Sequence, residues 1–418
     1  MEKGSGLTMP NPQSRQTLLQ AKSREKIRAE AAAELARLSA RPDYRPELAY
    51  FLDLFREGSS VSDVARRVGR PVAALLCLQA PLELFQAAGW HPFKIFSGSL
   101  GAGQVTAPRL PALTCPVLRS ALGELGLEEE AACAWVIPTT CDWVVKFREM
   151  MRLGGLASAA PVHWLELPHL KDSARARDRW LAEVVGLKDF LARSGGRPTR
   201  GRLLDSLAAF QKTRRAFSRL VEARRAGRVP AVWFFLIANS FFLDGLESWT
   251  TALEAALPIF QTPAGGAGTV FLAGSPIYFP NFKLLHLLEA AGLTVAADDL
   301  CSSERLFPVS VAVDDPSEIG LLKALAESYH QGCLCPTFGD NERRINNIWS
   351  AAQGSGLKGV IFHVLKGCHP YDLESLALEE PIKRAGLRFI KLETDFAAED
   401  SRNLLARLEA FGNNLGSA

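Results

Sequence analysis

The chain lacks a segment able to cross a bilayer. Its longest apolar run, Ala231 to Ile237 and on to Leu243, is interrupted by Asn239 and Ser240, and its 13 residues fall short of the roughly 20 that a spanning helix needs. The opening MEKGSGLTMP has no apolar core of a secretory signal, so a cytoplasmic protein with no membrane partner is expected. An excess of either charge is missing too: 48 basic against 45 acidic residues leave a net +3. That balance argues against a nucleic-acid coat or a polyanion binder.

The common catalytic signatures are also missing. No GxxxxGK[ST] phosphate loop, no His-Glu-x-x-His zinc motif and no GxSxG elbow occurs. Ala264–Thr269 (AGGAGT) precedes its strand, whereas a phosphate-cradling loop follows a strand and opens a helix. Gly98, Gly101 and Gly103 do follow a strand, but Pro108 and Pro111 come next where a helix would be needed. The seven histidines show no ligand spacing, and His286 among leucines reads as a satisfied buried histidine.

What the sequence does carry is apolar mass and alternation. Its 418 residues, 48% of them hydrophobic, suffice for two or three domains. Residues 1–75 read as a helical extension, from the amphipathic Ala- and charge-rich stretch 14–40 through helical spacing at 48–55 and 61–68. Strand and helix patterns then alternate: PFKIF, ACAWVIPTT and APVHWLEL are strands before a long helical stretch, 173–228. GTVFLAG, LTVAADD, GVIFHVL and LRFIKLE are strands separated by helices in the second half. Near-continuous apolar strands in such a repeat imply parallel sheets covered on both faces. The expected fold is therefore α/β, with two doubly wound parallel-sheet domains over 76–230 and 231–418 after the helical extension. Between Arg193 and Arg228 eleven Lys/Arg face only Asp205 and Glu222. This stretch is read as a solvated connector, or else as a docking face for an acidic protein.

Eight cysteines are many for a chain in a reducing compartment, where disulfides are rare. Cys77 sits in an apolar run read as helical and Cys133 opens a strand, so both read as core. The other six lie in loops. Cys141, Cys301 and Cys368 each come just past a strand, where open α/β sheets bind their ligands. Cys115 precedes a helix, whose N-terminus stabilises a thiolate. Cys333 and Cys335 form the loop GCLCP. Thiolates at this density select iron–sulfur clusters, zinc or copper(I). The absence of paired CxxC knuckles and the wide scatter of the ligands favour an iron–sulfur cluster between domains.

The segments PTTCDWVVKFREM, APVHWLELPHLKDSARARDRWLAE, DDLC, GCLCPTFGDNERR and GVIFHVLKGCHPYDLESLALEEPIKRAG together resemble the 2-hydroxyacyl-CoA dehydratase / benzoyl-CoA reductase family, from about residue 75 to the C-terminus. The resemblance implies two flavodoxin-like domains and an iron–sulfur cluster. It also implies a separate iron–sulfur activator ATPase that injects low-potential electrons, so that ATP acts only through this partner. In the dehydratase branch one [4Fe–4S] cluster is held by three cysteines, matching Cys115, Cys141 and Cys368. In the double-cubane branch two cubanes share a bridging sulfide, giving an [Fe8S9] cluster with six terminal sites. Cys115, Cys141, Cys301, Cys333, Cys335 and Cys368 supply that number. The double-cubane branch is the nearer match and implies a homodimeric reductase of small molecules. A dehydratase subunit is the alternative, and a non-catalytic electron-transfer or scaffold subunit is the third reading. No general acid or base is singled out; Asp142, His369 and Glu374 stand beside cysteines as candidates for supporting roles.

Overall fold

The computed structural model describes residues 12–95, 97–106, 110–111, 113–127, 134–153, 160–261, 269–307, 310–339, 342–354 and 357–415. The first eleven residues, Pro108, Cys133 and residues 264–268 of the AGGAGT segment lie outside them.

Three helices open the chain: α1 (Pro12–Ser39), α2 (Ala49–Arg56) and α3 (Val61–Val68). A capping box starts α3, with Ser60 Oγ accepting from Asp63 N–H and the Asp63 carboxylate accepting from Ser60 N–H. The first sheet follows, as β1 (Val72–Leu75), α4 (Leu82–Ala88), β2 (His91–Lys94), α5 (Leu100–Thr106), α6 (Pro116–Leu127), β3 (Ala134–Pro138), α7 (Asp142–Leu153) and β4 (Val162–Leu165). The long connector is α8 (Ala174–Arg193) and α9 (Arg200–Arg225), divided at Gly195, Gly196 and Pro198. Two helices, α10 (Ala231–Ser240) and α11 (Leu246–Ala256), lead to the second sheet. It comprises β5 (Thr269–Gly274), α12 (Lys283–Ala290), β6 (Thr294–Asp298), α13 (Glu318–Gly332), α14 (Glu342–Gly354), β7 (Gly359–Leu365), α15 (His369–Arg384), β8 (Arg388–Thr394) and α16 (Ser401–Leu415).

Both sheets have four parallel strands in one topology, β2-β1-β3-β4 and β6-β5-β7-β8. The α/β class and the parallel sheets expected from the alternation are therefore present. β1, β2, β3 and β7 are buried along their whole lengths, as sheets covered on both faces require. One hydrophobic core runs from Leu35 and Phe51 through Val72 and Val136 to Leu272 and Leu392, so the two sheets share packed side chains. The run at 231–240 became α10, with Val232 to Ala238 all buried in that core.

Two local readings are corrected. Val72–Leu75 is a strand, not a continuation of the helical extension, so Cys77 follows a strand end and is not in a helix. A Val-Ala-Ala-Leu run is too short for periodicity to separate the two. A helix does follow Gly98: α5 opens there. Its first turn is filled by the Glu30 carboxylate of α1, which accepts from Ser99 Oγ (2.5 Å) and Gly101 N–H (3.1 Å). The basic stretch is mostly a solvated face, with eight of its eleven Lys/Arg exposed; Arg214 and Arg224 turn inward, buried on Glu83 and Asp298. His286 is buried and bonded to Glu34 at 2.7 Å, which pins α1 to α12.

Candidate metal centre

In each sheet the strand order reverses beside its second-numbered neighbour, at β1/β3 and at β5/β7, and the crevices of such sheets lie beyond the carboxyl ends of the strands. Cys77 follows β1 there, Cys141 follows β3, Cys301 follows β6 and Cys368 follows β7. Cys115 comes from the loop before α6, and Cys333 and Cys335 from the loop that ends α13. Their mutual influence divides them into two groups.

Cys115, Cys141 and Cys368 form the first group, and each immediately precedes a helix: α6, α7 and α15. Peptide N–H groups of the first turn point at each sulfur, from Val117 and Leu118, from Trp143 and Val144, and from Tyr371. Three helix N-termini thus favour negative charge at one place. The Cys368 thiol donates to Cys115, which lowers the Cys115 pKa against the effect of burial and raises that of Cys368 well above its ordinary value. Burial raises Cys141, and the Cys115 charge adds to it. Gly367 makes the approach of the two halves possible. Its φ is +75°, and a Cβ there would stand 2.0 Å from the Leu113 carbonyl oxygen. Trp143 Nε1 closes the same contact by donating to the Gly367 carbonyl at 3.2 Å.

Cys77, Cys301, Cys333 and Cys335 form the second group. Burial, then the charges of Cys333 and Cys301, push the Cys77 thiol up to about 12. Burial also raises Cys333 and Cys335, and Arg305 opposes it at both. Three basic side chains surround this group. Lys94 and Lys171 are buried, which lowers their pKa values while the thiols pull the other way. Arg305 is the third, its pKa held well above the usual range by Asp299 despite burial. Gln79 Nε2 donates to Cys333 Sγ at 2.6 Å.

The cations also fix the GCLCP backbone. Lys171 Nζ donates to the Cys333 carbonyl, and Arg305 and Arg344 both donate to the Leu334 carbonyl. Arg344, 1% exposed at its side chain, bonds Asp299 beside the Cys301 loop and Glu374 on the helix that begins at Cys368. One guanidinium therefore ties three cysteine-bearing segments together. Arg224 performs the same service for the Cys301 turn through Asp298, whose other oxygen accepts from Leu300 N–H and Ser303 Oγ.

Tyr278 stands between the groups. Its ring packs with Cys115, Val117 and Leu365, while its hydroxyl lies 3.9 Å from Cys301 Sγ. Lys94 Nζ sits 4.8 Å from the centre of the same ring.

Among the described residues no three Cys, His, Asp or Glu side chains converge on one metal ion. In an iron–sulfur cluster each thiolate takes a different iron, so the ligating sulfurs stand farther apart than around one ion. The donor set fits as well: buried thiols, helix N-termini and cations to offset thiolate charge. The six cysteines expected from the sequence all lie in the two groups. Cys77, read from the sequence as a core residue, stands in the second group, past a strand end as Cys141 and Cys368 are. Glu374, one of the supporting candidates, holds Arg344; Asp142 and His369 face solvent at the first positions of their helices.

A family model described as 2-hydroxyglutaryl-CoA dehydratase, D-component, matches residues 77–415. "Putative dehydratase subunit YjiM" of Escherichia coli K12 is 26% identical over 372 residues, covering 84% of this chain and 93% of the relative. The beta subunit of (R)-2-hydroxyglutaryl-CoA dehydratase of Acidaminococcus fermentans is 24% identical over 368 residues, covering 83% and 93%. The (R)-phenyllactyl-CoA dehydratase beta subunit of Clostridium sporogenes is 18% identical over 359 residues, covering 84% and 93%. No helix among the described residues is long and apolar enough to cross a membrane.

Proposed function

The chain belongs to the 2-hydroxyglutaryl-CoA dehydratase D-component family, which generally carries iron–sulfur clusters, and from that premise we propose that it is a reductase of small molecules with a double-cubane [Fe8S9] cluster. Cys115, Cys141 and Cys368 would hold one cubane; Cys301, Cys333 and Cys335 would hold the other. The observation that carries this reading is the pair of adjoining thiol groups on either side of Tyr278. A single cluster would leave the second group, with its cations and its clamped loop, without a task.

When bound, such a cluster supplies electrons at low potential. The protein's part is to hold it and to tune its surroundings. Three helix N-termini and three basic side chains offset the charge of six thiolates, and burial keeps water away. The Tyr278 hydroxyl lies 3.9 Å from Cys301 Sγ, at the edge of the second thiol group. The sequence has no phosphate loop, so electron delivery driven by ATP falls to a separate iron–sulfur activator ATPase. The working form of this chain is a homodimer.

The second reading is a 2-hydroxyacyl-CoA dehydratase subunit with one [4Fe–4S] cluster on Cys115, Cys141 and Cys368. The names of the relatives favour it. Iron and sulfide assays on Cys333→Ser and Cys335→Ser separate the two. The double-cubane reading requires each variant to lose half of its iron or more, together with ATP-dependent reduction of small substrates. Full iron in both, with dehydration of a 2-hydroxyacyl-CoA, establishes the second reading instead.

A further inference from the structure

Tyr371 joins the two thiol groups through opposite ends of one residue. It lies in the first turn of α15, just after Cys368, and its peptide N–H points at the Cys368 sulfur. Its ring is buried with Val364, Leu378 and Ile382. Its hydroxyl faces the second group, where the charges of Cys301 and Cys335 act on it.

Two guanidiniums fix this phenol. Arg305 Nη2 donates to the Tyr371 hydroxyl oxygen at 3.1 Å. Arg305 is itself held on Asp299, at 3.0 Å, and on the Leu334 carbonyl. Arg344 lies over the ring, 5.6 Å from its centre, and bonds Asp299 and Glu374. Ring and oxygen are therefore both held, by cations anchored to the Cys301, GCLCP and Cys368 segments.

A guanidinium carries donors and no acceptor, whereas a phenol both donates and accepts. Arg305 therefore engages a lone pair of the oxygen and turns the O–H proton away from itself. A bond accepted by the oxygen also polarises its own O–H and makes it a better donor. On the side of the second group the acceptors are the sulfurs of Cys301 and Cys335. A neutral thiol accepts weakly, and a sulfur that carries charge, as a thiolate or a cluster sulfide does, accepts strongly.

We propose that the Tyr371 hydroxyl, set by Arg305, donates a hydrogen bond to a sulfur of the bound cluster and holds its reduction potential up. The proposal rests on the reductase reading and adds to it the residue that tunes the second thiol group. A donor to a cluster sulfur stabilises the reduced, more negative cluster over the oxidised one, so its loss lowers the potential.

The test is a redox titration of the iron-loaded chain followed by electron paramagnetic resonance, with proton ENDOR spectra of the reduced cluster before and after exchange into heavy water. Tyr371→Phe, which removes one oxygen and keeps the ring, should retain the wild-type iron count. Its equilibrium constant for one-electron reduction should fall about tenfold, a potential lower by about 59 mV. It should also lose one exchangeable proton coupling that the wild type shows. Tyr371→meta-fluorotyrosine, a more acidic phenol of nearly the same shape, should shift the potential the other way. A role in packing alone would not reverse sign between the two variants. Iron loss in Tyr371→Phe, or a potential and a proton coupling that this variant leaves unchanged, overturns the proposal. About four irons in the wild-type chain would refute the double-cubane reading and the proposal with it, whereas a full count with an unmoved potential refutes the proposal alone.

Discussion

Replacing Arg344 by methionine removes a buried charge and keeps most of the volume. Asp299 retains Arg305 at 3.0 Å, but Glu374 loses the guanidinium that lowers its pKa against the effect of burial. Breaking a buried pair by removing one partner typically costs about 3–5 kcal/mol. Protonation of Glu374 limits that cost. Taking up a proton at pH 7 from a reference pKa near 4.3 requires about 3.7 kcal/mol, at 1.36 kcal/mol per unit. The expected deficit is thus about 3–4 kcal/mol at pH 7. The sign follows from linkage. In the variant the folded carboxyl binds its proton more tightly than the unfolded one, so stability falls as pH rises. Moving from pH 7 to 5.5 should recover as much as about 2 kcal/mol of the difference from wild type. Groups that titrate alike in both proteins cancel. Amide hydrogen exchange in α14 and α15 of the iron-free chain reads the change locally. The variant should exchange there several-hundredfold faster at pH 7, with a much smaller ratio at pH 5.5 after correction for intrinsic rates. Equal protection in both proteins, or a deficit that does not depend on pH, would refute the assignment of Arg344 as the tie between the Cys301, GCLCP and Cys368 segments.

Three other substitutions probe the same geometry. Gly367→Ala combines a left-handed φ with contact at the Leu113 carbonyl, so it should drive Cys115 from Cys368 and lower bound iron; iron assay against a Gly386→Ala control, also at positive φ but with no neighbour within 4 Å, checks this. Cys77→Ala should keep full iron, because the double-cubane reading fills its sites with the other six cysteines; iron loss in this variant would make Cys77 a ligand. Burial lowers the His363 pKa to about 4, so its contribution is present above the unfolded pKa near 6.5 and is lost as pH falls. His363→Gln should therefore flatten a decline of roughly 3 kcal/mol between pH 6.5 and 4, measured by urea denaturation across that range.

The strands of the second sheet were legible because each is an apolar run between helix patterns: GTVFLAG, LTVAADD and GVIFHVL contain β5 to β7, and LRFIKLE covers β8 up to Glu393. β1 was not, since four small and branched residues after a helical stretch carry no period. The polar ERRINNIWS gave no sign of α14, which matters chiefly for placing Arg344. Cysteines at strand and helix ends were visible as a class, since topology fixes where those ends lie. Their division into two groups depends on pairings such as Gly367 with Leu113 and Cys333 with Gln79. These join residues hundreds of positions apart, and no local pattern records them. The cations around the second group are hidden for the same reason: Lys94 and Lys171 look like ordinary surface lysines until the fold buries them.

The central claim is that both thiol groups hold iron. It is tested most directly by iron and acid-labile sulfide counts on the anaerobically purified wild-type chain. The account predicts about eight irons per chain, from six thiolates sharing two cubanes, with absorption that bleaches in air. About four irons would contradict it in favour of a single [4Fe–4S] cluster, and stoichiometric zinc without visible absorption would contradict the iron–sulfur assignment altogether.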